Sequence, residues 1–142
     1  MLTIPAMKEE TVARHMTKGP HSIGHDQMLS SAHRTMRDNA IRHLPVLRGG
    51  KLVGLLSERD LHLVETLRDV NPERVPVEEA MSTEVFTVAP ETPLEEAVKE
   101  MAAHRYGSAV VLDRQKVVGV LTTVDALRAL VALLQDARRG TV

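Results

Sequence analysis

At 142 residues, with 43% hydrophobic and 26% charged residues, the chain is the size of one domain or of two small repeats sharing a core. Its net charge of −1 (histidine neutral), built from interspersed acids and bases, offers no basic field for a phosphodiester backbone. Phe86 and Tyr106 are its only aromatics, too few for a base-stacking platform, and the lack of cysteine excludes disulfides, thiolate metal sites and cysteine nucleophiles.

Residues 1–11 read as a leader without the basic and apolar regions of a signal peptide. No apolar run approaches the roughly 20 residues that span a bilayer, so the expected address is cytoplasmic. A short strand is expected at Ser22 and Ile23, then a helix over 27–39 with Leu29, Ala32 and Met36 inward. Strands at 43–47 and 52–56 flank the turn Arg48-Gly49-Gly50-Lys51, and a helix over 58–68 follows. Asn71-Pro72 and Pro76 break the chain, giving a first repeat at 12–70, a linker at 71–76 and a second repeat at 77–136 before a tail at 137–142. In the second repeat a strand over 85–88 precedes Thr92-Pro93-Leu94-Glu95. There Thr92 suits an N-cap, Pro93 the first helical position and Glu95 the third, a capping box. Gly107 is expected to end that helix. Strands at 108–112 and 117–121 flank a turn at 113–116, and a last helix covers 123–136.

The two halves are copies. Residues 12–61 align on 77–126 without a gap, with identities such as Val12/Val77, Met16/Met81, Leu29/Leu94, Met36/Met101, Gly54/Gly119 and Asp60/Asp125. The full set of identities exceeds the about three that random pairing gives at ordinary residue frequencies. Each copy reads β-α-β-β-α and closes on Gly-x-x-Ser/Thr-x-x-Asp: Gly54, Ser57 and Asp60, then Gly119, Thr122 and Asp125. The hydroxyl stands where a strand gives way to a helix and the carboxylate falls in the first turn. That pattern serves two ends, helix capping or an anion-favouring helix N-terminus.

The order strand, helix, hairpin, Gly-x-x-Ser/Thr-x-x-Asp, helix, duplicated in tandem, resembles the cystathionine-β-synthase (CBS) domain pair, or Bateman module. Met16-Thr17 and Met81-Ser82 lead the copies, and Arg42-His43-Leu44-Pro45-Val46 precedes the first hairpin. The resemblance covers about residues 12–134. It implies an α+β fold of two repeats packed sheet to sheet about a pseudo-two-fold axis. It also implies adenosine nucleotides (AMP, ADP or ATP) as regulatory ligands in clefts between the repeats. Asp60 and Asp125 would then accept the ribose hydroxyls, with Ser57 and Thr122 near ribose or phosphate. The strands at Ser22-Ile23 and Thr87-Val88 would line the adenine pockets.

The copies differ around the motif. Arg42, His43 and Arg59 surround the first, whereas Gly107, Ser108 and Val124 stand at their counterparts, with Arg105 and Tyr106 as neighbouring substitutes. One phosphate-bearing site is therefore expected at the first copy, drawing also on Pro45, and a weaker or empty one at the second. The first-repeat histidines His15, His21, His25 and His33 invite a metal reading, but none forms a His-x-x-x-His pair. Met16, Met36, Met81 and Met101 follow the apolar pattern and are expected in the core. Leu127, Leu130, Val131 and Leu134 form a stripe on a helix with few polar positions, which suggests a partner surface and a homodimer. No nucleophile is spaced with a base, so no enzyme is expected. The leading expectation is a stand-alone nucleotide sensor that modulates a partner protein. The alternatives are a structural dimerisation module without a ligand, or a metal sensor.

Overall fold

The computed structural model describes residues 10–140. Expectations for the leader before residue 10 and for the last two residues of the tail lie outside them. The elements in chain order are α1 (Val12–His15), β1 (Thr17–Lys18), β2 (Ile23–Gly24), α2 (Leu29–Asn39), β3 (His43–Arg48), β4 (Lys51–Ser57) and α3 (Glu58–Glu65). A 3-10 turn (Val77–Glu79) follows, then β5 (Thr87–Val88), α4 (Leu94–His104), β6 (Ser108–Asp113), β7 (Lys116–Thr122) and α5 (Thr123–Gly140). Each copy therefore shows the expected β-α-β-β-α order in a mixed α+β fold.

The chain divides into two compact units, and these are not the two sequence copies. One contains Pro20–Val85 with Gln115–Val117, the other residues 10–19, Phe86–Arg114 and 118–140. The leading segment of each copy thus belongs to the unit of the other copy. In the first unit β2 pairs parallel with β3, and β3 antiparallel with β4. In the second the sheet order is β1-β7-β6-β5, with β1 antiparallel to β7 and β5 parallel to β6.

The exchanged segments dock by matching bonds. The Val12 N–H donates to Thr92 O at 2.9 Å, and the Val77 N–H to Gln27 O at 2.7 Å. The Leu94 N–H donates to Glu10 O and the Leu29 N–H to Val75 O, both at 2.9 Å, which satisfies one of the first amide donors of α4 and of α2. Val12 and Val77 are fully buried, one in each core. Val77 packs with Leu29, Leu44, Leu56 and Leu61 in one core, and Val12 with Leu94, Val111, Leu121 and Ala129 in the other. Each fully buried aliphatic side chain of this kind contributes about 1.5–3 kcal/mol.

These contacts explain the repeated glycine. A Cβ on Gly54 would collide with Met81 Sδ and come within 2.9 Å of Ser82 O; one on Gly119 would collide with Met16 Sδ and come within 3.0 Å of Thr17 O. The paired identities Met16/Met81 and Gly54/Gly119 are therefore one contact, made twice. The methionines read as core are so: Met36 and Met101 are buried, and Met16 and Met81 pack against the cores.

Several boundaries differ from the sequence reading for local reasons. Thr92 does not cap α4: its hydroxyl accepts the Ala89 N–H at 3.0 Å, and the helix begins at Leu94 after Pro93. The capping box with Glu95 is therefore absent: the Thr92 N–H that the Glu95 side chain would accept donates to Ala89 O at 3.1 Å. Helix α4 ends at His104, capped by Arg105, rather than at Gly107, while α2 ends at Asn39 as expected, capped by Ala40; both caps are left-handed (φ 59° and 53°). A non-glycine residue in that region costs roughly 1–2 kcal/mol, so no glycine announced these ends. The hairpin turns follow suit: Gly49 and Gly50 have positive φ, as do Arg114 and Gln115 at the equivalent turn. Helix α2 begins at Leu29, two residues later than expected; α3 stops at Glu65, three residues early, and α5 runs on to Gly140.

Candidate functional site

The residues singled out in the first copy all lie in one unit. Pro45 occupies β3 where Val110 occupies β6. The Val110 N–H donates to Phe86 O at 3.0 Å, a bond proline cannot make, and so β2 is Ile23–Gly24 with Ser22 outside it, whereas β5 is Thr87–Val88. Ile23 is held opposite Val46 and is buried; Ser22 is exposed. His43 lies opposite Ser57 on the hairpin.

Ser57 caps α3. Its Oγ accepts the Asp60 N–H at 3.1 Å, and its own N–H donates to Asp60 Oδ2 at 2.9 Å. The helix-capping role of the motif is thus real, and among the described residues it engages one oxygen of the Asp60 carboxylate. Around it, the Arg42 carbonyl accepts the Glu58 N–H at 2.8 Å while its exposed guanidinium lies 4.0 Å from Glu58. Arg59 is exposed beside Asp60. Burial pushes His43 below its ordinary 6.5, and Arg42 adds to the effect against the opposing pull of Asp60 and Glu58. His43 is therefore neutral at pH 7, with one ring nitrogen donating and the other accepting.

The second copy repeats the cap. Thr122 Oγ1 accepts the Asp125 N–H at 3.2 Å, and the Thr122 N–H donates to Asp125 Oδ2 at 2.9 Å. The Gly107 carbonyl accepts both the N–H and the hydroxyl of Thr123 at 3.1 Å. Two things are different. The Thr17 hydroxyl on β1 lies 3.2 Å from each oxygen of Asp125, which is only 6% exposed. Tyr106 is stacked between Phe86 (5.1 Å) and His104 (5.2 Å). Thr17 and its counterpart Ser82 were missing from the site as read in sequence, although their identical offset marked them as a pair.

Open space is modest in both units. A groove of about 400 Å³ is lined by Arg42, Glu58, His33, His62 and apolar neighbours on α2 and α3. One of about 380 Å³ is lined by Thr87, Val88, Thr92, Glu96 and Glu100 among others. Neither is lined by Asp60 or Asp125. Among the described residues no three histidine, cysteine or acidic side chains gather as a metal site. His15, His25, His33, His62 and His104 instead pair with glutamates.

The CBS domain family model matches residues 11–64 and 77–132, the same two copies. The chain belongs to the CBS domain family. A CBS domain-containing protein of Bacillus subtilis, YhcV, is 30% identical over 110 residues, which cover 78% of each chain. Among solved structures, AcuB from Vibrio cholerae superposes with a TM-score of 0.81 at 30% identity, covering 91% of this chain and 96% of that one. CBSX2, solved in complex with AMP, has a TM-score of 0.77 at 22% identity over 87% of this chain and 98% of its own, a likeness of fold. No helix among the described residues of this CBS pair is long and apolar enough to cross a membrane.

Proposed function

We propose that this CBS pair is a regulatory module that binds an adenosine nucleotide (AMP, ADP or ATP) at the Ser57–Asp60 site and signals its occupancy to a partner protein. The observation that carries the reading is the half-buried Asp60 carboxylate, whose Oδ2 alone is engaged by the cap among the described residues. A carboxylate is acceptor-only, so its remaining capacity suits the cis-diol of a ribose. Neutral His43, Arg42 and Arg59 stand around it, and the two arginines supply positive charge for a phosphate. Ser22, beside Ile23, is exposed and the one open to a base, since Ile23 and Pro45 are buried and shape that edge from beneath. At the second site the same roles fall to Thr87, Val88, Tyr106, Gly107, Thr122 and Asp125, with weaker binding.

The module acts as a homodimer through α5. Val124, Leu127, Leu130, Val131 and Leu134 are all half exposed or more, while Ala129 and Asp125 face inward. An outward stripe of that kind is unusual on a monomer. The same stripe favours a second reading, a dimerisation module whose carboxylates serve only as caps. Thermal shift with AMP, ADP, ATP, S-adenosylmethionine, NAD and divalent metals separates the readings, because a ligand of the folded state alone raises stability by mass action. The proposal expects a rise with one or more of AMP, ADP and ATP that Asp60→Ala abolishes. A rise with metals only, or none, sinks it.

A further inference from the structure

The two carboxylates carry the same cap, yet only one is covered. The Thr17 hydroxyl sits equidistant from both oxygens of Asp125, 3.2 Å from each. A hydroxyl so placed competes for the same two oxygens that a cis-diol would bond. The hydroxyl is not placed there by a flexible side chain. β1 pairs with β7 at Thr17↔Val120 and Lys18↔Gly119, and the Met16 thioether seats against Gly119. β-Branching further restricts the threonine rotamer.

The counterpart in the other unit is Ser82. Its backbone makes the same approach, exchanging two 2.9 Å bonds with Leu55, and Met81 seats against Gly54. Yet the Ser82 hydroxyl donates to its neighbour Glu84 O at 3.3 Å. It lacks the branching methyl, and the chain bends away after it rather than continuing as strand. Asp60 is consequently left with its cap bonds only among the described residues.

We infer that Thr17 is a gating residue that closes the Asp125 site to ribose by occupying the fork of its carboxylate, and that Ser82 leaves the Asp60 site open. The inference rests on the proposed nucleotide function and sets its stoichiometry. Displacing a hydrogen bond to a charged group lowers affinity roughly ten- to a hundredfold.

The test is calorimetric titration of the intact protein with AMP, ADP and ATP separately. Wild type should show one site, lost in Asp60→Ala. Thr17→Ala should add a second site, or tighten a weak one ten- to a hundredfold, and Thr17→Ala/Asp125→Ala should lose it again. Ser82→Thr should weaken the first site by bringing a branched hydroxyl to Asp60. If Thr17→Ala fails to fold, the Ser82→Thr titration decides, and unchanged affinity there overturns the gate. Two equal sites in wild type, or one unchanged site in Thr17→Ala, overturn the gate and leave the nucleotide reading standing. No binding by wild type overturns both.

Discussion

The unit built on Asp60 and the unit built on Asp125 agree down to single backbone hydrogen bonds. In each, a leading segment from the other copy buries a valine, seats a methionine on a glycine and satisfies an amide at a helix start. They differ most in chemistry at the carboxylate. One is half buried, interacts with His43 and has the exposed Arg59 as its chain neighbour; the other is buried and bonded by a threonine hydroxyl. Both copies keep the buried valine, the glycine under a methionine and the hydroxyl cap, each of which stabilises its unit. Around the two carboxylates, by contrast, the residue types differ: Arg42, His43 and Arg59 against Gly107, Ser108 and Val124.

The largest expected effects test the shared part. Leu56 and Leu121 are both fully buried at equivalent places in the two cores. Leu56→Ala and Leu121→Ala should each cost about 2–5 kcal/mol by urea unfolding, and by similar amounts. A difference of several kcal/mol between them would break the equivalence of the units. Next come the seats: Gly54→Ala and Gly119→Ala should each cost about 1–3 kcal/mol through overpacking. The methionine can yield, but the backbone oxygen behind it yields less. Gly119→Ala has a further consequence, since moving Thr17 also disturbs its bonds to Asp125.

A sharper split is expected at the carboxylates. Asp60→Ala removes a capping residue and should cost about 1 kcal/mol in stability. Asp125→Ala removes the same cap and the acceptor of Thr17 from a buried place, and should cost more by the same unfolding measurement. For nucleotide affinity the order reverses: Asp60→Ala should weaken binding at least tenfold and Asp125→Ala far less. Equal losses of affinity would mean that both carboxylates bind ligand alike.

Much of this was legible in the sequence because the copies annotate each other. The constant offset exposed the β-α-β-β-α order, the inward faces of α2 and α4, and the Ser57 and Thr122 caps. The exchange of leading segments was not legible. Periodicity reports which face of an element is buried and says nothing of which element covers it, so Val12 and Val77 looked alike whichever core they joined. The end of α2 at Asn39 was read correctly, whereas that of α4 was hidden because Arg105 adopts a left-handed backbone without glycine. The Thr92 capping box failed because Thr92 turns back on Ala89, its hydroxyl accepting the Ala89 N–H and its own N–H donating to Ala89 O. The cation asymmetry was visible as residue type. The covering of Asp125 needed the placement of Thr17.

The smallest effect concerns pH, and it again separates the copies. His43 stands where the second copy has Ser108, a residue that does not titrate. Burial, with help from Arg42, holds His43 below its ordinary 6.5, so the unfolded chain binds the proton more readily than the folded one. Stability from this group is fully present above about pH 6.5 and is lost as pH falls through the lowered folded value. Glu78 is held below its ordinary 4.5, first by its hydrogen bond from His25 and also by Arg48. Its contribution is present above 4.5 and lost at lower pH, so it does not fall in the same window. His43→Ser should therefore flatten the stability profile of the protein as pH falls from neutrality into mild acid, while leaving in place the loss below pH 4.5 to which Glu78 contributes. Urea midpoints measured from pH 7.5 to 4 read this directly, and a variant profile parallel to wild type would show that His43 carries its proton as easily in the folded unit as in water.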